Sequence, residues 1–230
     1  MKKKIFIACD TTKISTVNKI IKNTQTKELE IGYKFGLEFF NSNNGRKYIS
    51  KINKNKKIFL DLKLLDIPNT VSAAIHSLSD LKNINYLTIH ASGGIEMMKS
   101  AKKAAKKINK NLKILGVTVL TSFSEKSLKS IGHTKSIKNL VLHQARLAKK
   151  AGLDGIVCSG HESKIIKKVC KNMEIITPGI RLTGDKTQDQ KRVMSPNQSF
   201  KNGATGLVIG RSLTRGNIKK NIEKLIQELK

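Results

Sequence analysis

Residues 61–70 read DLKLLDIPNT and follow directly on the apolar IFL (58–60). Asp61 and Lys63 stand two apart, so on a strand both would point to one side and Leu62 to the other. Opposite charges are costly inside a protein, because desolvation consumes much of what their attraction returns. Their presence in an apolar run therefore points to chemistry. An ammonium held beside a carboxylate can deliver a proton or stabilise a developing negative charge. Two further charges close apolar runs upstream: Asp10 ends IFIACD (5–10) and Lys34 lies near the end of LEIGYKF (29–35). Gathered at one place, Asp10, Lys34, Asp61 and Lys63 would alternate in sign. The same spacing also suits a structural salt bridge at a barrel rim, and both readings stand at this point.

Other strand ends carry polar groups. Thr121 and Ser122 follow LKILGVTVL (112–120), and His90 sits in YLTIHA (86–91). Pro178, Gly179, Ile180 and Arg181 follow EIIT, and Gly210-Arg211 follows GLVI. A glycine that admits close backbone approach, a guanidinium fork and the N–H groups of a following helix together suit a phosphate. As a bare dipeptide, Gly-Arg is equally an ordinary turn with a surface arginine. Asp66 precedes IPNTVSAAI (67–75), where Pro68 fits a first helical turn, so its local role is that of a helix cap. His76, His90, His133, His143 and His161 are scattered, with no HxH or HExxH pair, and no GxSxG, GxGxxG or P-loop pattern occurs.

These residues need elements to hold them. Eight short apolar runs read as strands: 5–10, 29–35, 57–63, 86–91, 112–120, 155–159, 174–179 and 206–210. Amphipathic stretches lie between them. Residues 95–108 place Ile95, Met98, Ala101, Ala105 and Ile108 on one face; 138–152 ends in a glycine suited to a C-cap; 217–230 aligns Ile218, Ile222, Leu225, Ile226 and Leu229. Eight βα units in succession predict an α/β fold, a (β/α)8 TIM barrel, with an open doubly wound sheet as the alternative. No composition break or Pro/Ser linker interrupts the chain, so 1–230 reads as a single domain.

The 230 residues suffice for one sizeable core, which at 38% hydrophobic and 4% aromatic content should be mainly Ile, Leu, Val and Ala. The net charge is +29, but only six of the 45 basic residues are Arg, and the lysines are spread along the chain. With few aromatics interleaved, this does not build a nucleic-acid platform. AT-rich coding explains the abundance of Lys, Asn and Ile more simply. Cys9, Cys158 and Cys170 form no CxxC pair and read as small buried hydrophobes of a reducing, cytoplasmic protein. The start, MKKKIFIAC, has an apolar stretch of about five residues, shorter than a signal sequence requires, and reads as the first strand. No run approaches the ~18–20 apolar residues of a membrane span.

The segment DLKLLDIPNTV resembles the signature of the orotidine 5′-phosphate decarboxylase family. YKFGLEFF (33–40), IHASGG (89–94), TVLTS (118–122), TPGIR (177–181), DQKR (189–192) and VIGR (208–211) resemble further family motifs in family order, closest to the shorter bacterial branch. The resemblance implies decarboxylation of orotidine 5′-phosphate to UMP, the last step of UMP synthesis, with no metal or organic cofactor. It implies a catalytic tetrad of Lys34, Asp61, Lys63 and Asp66, with Lys63 as proton donor. It implies a homodimer in which Asp66, Ile67 and Thr70 reach the partner's site. Asp10 and Lys34 would hold the ribose, and Thr121, Ser122 and Pro178 the pyrimidine. Gln190, Gly210 and Arg211 would hold the phosphate, on a loop (roughly 181–192) and the last strand end, with Arg181 at a further substrate-binding position. Cys9 and Phe35 depart from the family pattern only by apolar exchange. Related sugar-phosphate decarboxylases and hexulose-phosphate synthases share Asp-x-Lys-x-x-Asp but use Mg2+, and carry Glu where this chain has Lys34.

Overall fold

The computed structural model describes residues 2–185 and 192–230. Gln190, a predicted phosphate ligand, lies outside the described residues. The strands are β1 (Lys4–Ala8), β2 (Glu30–Gly36), β3 (Lys57–Leu64), β4 (Ile84–His90), β5 (Lys113–Val117), β6 (Gly155–Val157), β7 (Glu174–Thr177) and β8 (Gly206–Ile209). They pair in parallel, each with its sequence neighbour, and β8 returns to β1, closing the barrel. The open-sheet alternative is thereby excluded.

Helices connect the strands. After β1 comes α1 (Ile14–Asn23); after β2, α2 (Leu37–Phe40) and α3 (Gly45–Lys51); after β3, α4 (Pro68–His76); and after β4, α5 (Gly94–Ile108). β5 leads to α6 (Glu125–Ser130) and α7 (Ile137–Lys150), β6 to α8 (Gly160–Val169), β7 to α9 (Pro196–Lys201), and β8 to α10 (Arg211–Thr214) and α11 (Ile218–Leu229). The helical periodicities predicted for 95–108, 138–152 and 217–230 coincide with α5, α7 and α11 to within two residues at each end. α7 ends as its glycine predicts: Gly152 takes φ +76°, and Leu153 N–H reaches back to the Ala148 carbonyl at 3.1 Å.

Two apolar layers follow from strand alternation. Outward-facing Ile5, Ile7, Ile58, Leu60, Leu87, Ile89, Ile156 and Ile209 pack against the helices. Phe6, Ala8, Phe59, Tyr86, Leu115, Val117, Val157, Ile176 and Val208 form a separate cluster inside the barrel. The outer layer is largely the Ile/Leu/Val/Ala core that composition predicts. The inner one is built around an aromatic trio, with Phe6 edge-on to Phe59 at 5.1 Å and to Tyr86 at 5.0 Å. Gly32 makes room for it, since a Cβ there would lie 2.7 Å from the Phe6 ring.

Below the trio, charges close the barrel floor. Glu174 takes the Lys4 ammonium at 2.7 Å, pairs with Lys113 and accepts the Tyr86 hydroxyl at 3.2 Å. Burial alone would raise the Glu174 carboxyl, but the hydrogen bonds and charges of Lys113 and Lys4 outweigh it and hold the pKa below its ordinary 4.5. A depressed folded pKa adds stability above the unfolded value and loses it as pH falls through the folded value. Glu174→Gln should therefore cost about 1–3 kcal/mol near neutral pH. Denaturant titrations across pH 2–7 should show the gap between variant and native protein narrowing below about pH 4.5.

Candidate active site

The charged residues singled out above meet at the opposite, carboxyl end of the barrel. Lys34 Nζ lies 3.2 Å from Asp10 Oδ1 and 3.4 Å from Asp61 Oδ2. Lys63 Nζ donates to the same Asp61 Oδ2 at 2.8 Å. Lys34 and Asp61 are nearly enclosed, Lys63 is about one-third exposed, and Asp10 is largely open to solvent. Burial by itself would lower Lys34 and raise Asp61. For Lys34 the charges of Asp61 and Asp10 win, and its pKa is raised; for Asp61 the charges of Lys34 and Lys63 win, and its pKa is lowered. Both groups are therefore ionised at neutral pH, and ground-state charge is concentrated in a confined space.

Asp61 and Lys63 share a side, as their spacing predicts, but not on a regular strand. Opposite β4 the register runs Leu60 to Leu87 and then Leu64 to Ile89, so β3 bulges by two residues. Lys63 sits in the bulge with φ +50°, the sole non-glycine residue with positive φ among those described. Leu62 points into the outer core, as expected. Thr88 of β4, fully buried, fills the gap in the ladder: its hydroxyl accepts Lys63 N–H at 2.9 Å and donates to Asp61 Oδ1 at 3.0 Å. Two positions further along β4, burial and then the Lys63 charge hold His90 below its usual pKa.

A cavity of 280 Å³ opens over this network. Asp10, Lys34, Asp61, Lys63, Thr121, Ser122, Pro178, Arg181, Gly210 and Arg211 all line it, above an apolar floor that includes Ala8, Phe59, Val117, Val157 and Val208. The lining is thus ionic on one side and apolar on the other, and it includes two arginines. Asp66, Ile67 and Thr70 are not in this lining; they are exposed around the start of α4. The expectation that Asp66 caps that helix is corrected. Ile67 occupies the N-cap position without a side-chain cap, and the Asp66 carboxylate instead accepts the adjacent Ile67 N–H at 2.6 Å.

The predicted fifth strand is also too long. β5 ends at Val117, and Thr118 makes the last tie to β6, donating both its N–H and its hydroxyl to the Val157 carbonyl. Thr121 and Ser122 consequently ride on a loop. That loop is anchored by Arg192, whose Nη2 donates to the carbonyls of Val119 and Leu120 at 3.2 and 3.3 Å while Nη1 meets Glu162 of α8 at 2.6 Å. A parallel bridge between Ile180 and Met194 ties together the two flanks of the 181–192 segment. Sequence reading assigned no role to Thr88, Glu162 or Arg192. Thr88 was findable by parity, being two residues before His90 on the same face of its strand. Nothing local marks Glu162, whose partner is thirty residues away.

Acid–base groups and arginines gathered at the carboxyl ends of a closed parallel barrel define a barrel enzyme that handles an anionic small molecule. The comparisons narrow this. A model of the orotidine 5′-phosphate decarboxylase / HUMPS family matches residues 3–224. The orotidine 5′-phosphate decarboxylase of Fusobacterium nucleatum is 43% identical over 218 residues, covering 93% of this chain and 90% of its own. That of Legionella pneumophila (strain Corby) is 45% identical over 166 residues, or 71% and 72% of the two chains. The crystal structure of the Lactobacillus acidophilus orotidine 5′-phosphate decarboxylase superposes with a TM-score of 0.84 at 31% identity, covering 99% of both chains. The chain belongs to the orotidine 5′-phosphate decarboxylase / HUMPS family, and it is a carboxy-lyase.

The Arg192–Glu162 pair is largely buried, and burial raises the Glu162 carboxyl even with the guanidinium beside it. Arg192→Ala should leave that carboxylate uncompensated and cost about 3–5 kcal/mol by denaturant unfolding. The double replacement Arg192→Met with Glu162→Leu should recover most of the loss.

Proposed function

We propose that the chain converts orotidine 5′-phosphate to UMP, the last step of UMP synthesis, as a cytoplasmic homodimer that needs no cofactor. The observation that carries this reading is the Lys34–Asp61–Lys63 network at the ionic end of the cavity. Breaking the C6–carboxylate bond leaves its electron pair on C6, in the ring plane, where no π system absorbs it. An ammonium fixed beside that carbon stabilises the pair and then supplies the proton. Lys63 has that part. CO2 departs, the Lys63 proton passes to C6, and the neutral amine is reprotonated from solvent. Asp61, ionised and enclosed, would crowd the substrate carboxylate and favour its loss. Lys34 keeps Asp61 ionised and, with Asp10, addresses the ribose hydroxyls. Thr121, Ser122 and Pro178 border the pyrimidine, while Arg181, Gln190, Gly210 and Arg211 hold the phosphate, whose binding energy orders the site.

Lys34 also weighs against the Mg2+-dependent relatives. It places an ammonium 3.4 Å from Asp61, at the position where those patterns carry a carboxylate able to hold the cation. Decarboxylation of orotidine 5′-phosphate should proceed undiminished in excess EDTA, and loss of activity there would favour the Mg2+-dependent reading. Lys63→Ala should lower kcat by at least about 10³-fold, in the range of a lost general acid, while UMP binding measured by calorimetry largely survives. Near-normal turnover in that variant would remove Lys63 from the role.

The dimer is supported by what surrounds Asp66. Leu65 and Ile67, its two neighbours, are 55% and 66% exposed, and a partner surface seated on Asp66 would cover both. If Asp66 acts in the partner's site, mixing inactive Lys63→Ala and Asp66→Ala subunits restores one intact site per mixed dimer, about a quarter of native activity for random pairing. No recovery on mixing would place Asp66 in its own chain's site, and an Asp66→Ala homodimer with native activity would place it outside catalysis.

A further inference from the structure

Thr88 does not line the cavity, yet it is bonded to both halves of the reactive pair. Its hydroxyl has one proton and donates it to Asp61 Oδ1; its oxygen accepts the backbone N–H of Lys63. Asp61 Oδ2 is thereby left to the two ammoniums, at 2.8 and 3.4 Å. The contact therefore sets the plane of the carboxylate. It also compensates a backbone that has left the ladder: between Leu64 and Leu60 no residue of β3 is in register with β4, and Lys63 is held at φ +50°. Such a conformation persists only where surrounding bonds over-determine it. A single side chain with both donor and acceptor capacity serves here, and no apolar residue of the same shape can.

We propose that Thr88 is a positioning residue for decarboxylation, a hydroxyl clamp that fixes the Lys63 backbone and the Asp61 carboxylate relative to each other. The proposal rests on Lys63 and Asp61 being the reacting pair. Valine in place of Thr88 keeps the bulk and removes both hydrogen bonds. The ammonium then has freedom to drift from its aim, and misplacement on the scale of an ångström costs up to about 100-fold in rate. Substrate affinity depends mainly on groups elsewhere in the cavity, so the loss falls on kcat rather than KM.

The test uses the full-length protein and three variants. Thr88→Val should lower kcat about 10- to 100-fold with little change in KM, and Thr88→Ser, which keeps the hydroxyl, should recover most of it. The acid limb of the pH–kcat profile should move upward in Thr88→Val, since Asp61 loses a donor that helps keep it ionised. Hydrogen exchange at the Lys63 amide should quicken in Thr88→Val and not in Thr88→Ser. A Thr88→Val enzyme with native kcat and an unmoved profile would overturn the proposal, as would equal losses in the Val and Ser variants. Lys63→Ala in parallel separates the two levels: activity retained there defeats the reading of the site itself, whereas an inactive Lys63→Ala beside a native Thr88→Val defeats only the role of Thr88.

Discussion

The site depends on keeping one carboxylate charged inside a low-dielectric cup. Asp61 is nearly enclosed, and nothing but opposite charge and hydrogen bonding holds it ionised. A pair of unit charges about 4 Å apart is worth roughly 4 kcal/mol at the effective dielectric near a protein surface, and Asp61 has two such partners besides a hydroxyl. Each partner comes from a different place: Lys34 from β2, Lys63 from a bulge in β3 itself, and Thr88 from β4. The arrangement exists only when three adjacent strands are assembled side by side, so the chemistry and the barrel form together.

Both ends of the barrel bury charge, with different consequences. At the floor, Glu174 is covered by Lys4, Lys113 and Tyr86, each within hydrogen-bonding reach, and the group is closed over by the aromatic trio. At the mouth the charges line a cavity and are incompletely shielded, Lys63 and Asp10 being partly exposed. The floor is thus a plug, while the mouth has electrostatic capacity left for a substrate.

The parts of the mouth that strands do not supply are held by long-range ties. Thr121 and Ser122 lie beyond the end of β5, on a loop with little periodic structure of its own. Arg192 pins that loop through the Val119 and Leu120 carbonyls and is itself held by Glu162. One guanidinium thus ties the loop after β5 to α8, close to the Ile180–Met194 bridge.

Much of this was legible in the residues. Short apolar runs alternating with helical faces demanded repeated βα units, and the two-residue spacing of Asp61 and Lys63 demanded a shared side. Local stereochemistry decides such features, so local sequence displays them. The tertiary structure alone decided the rest. It closed the sheet, bent β3 so that Lys63 adopts a left-handed backbone, and put Thr88 behind the pair. It paired Arg192 with Glu162, and it left Asp66 outside the cavity rather than on a helix cap. Each of these is a contact between residues far apart in the chain or a departure from regular geometry. Its energy comes from burial and register, and neither is written in any short stretch of sequence.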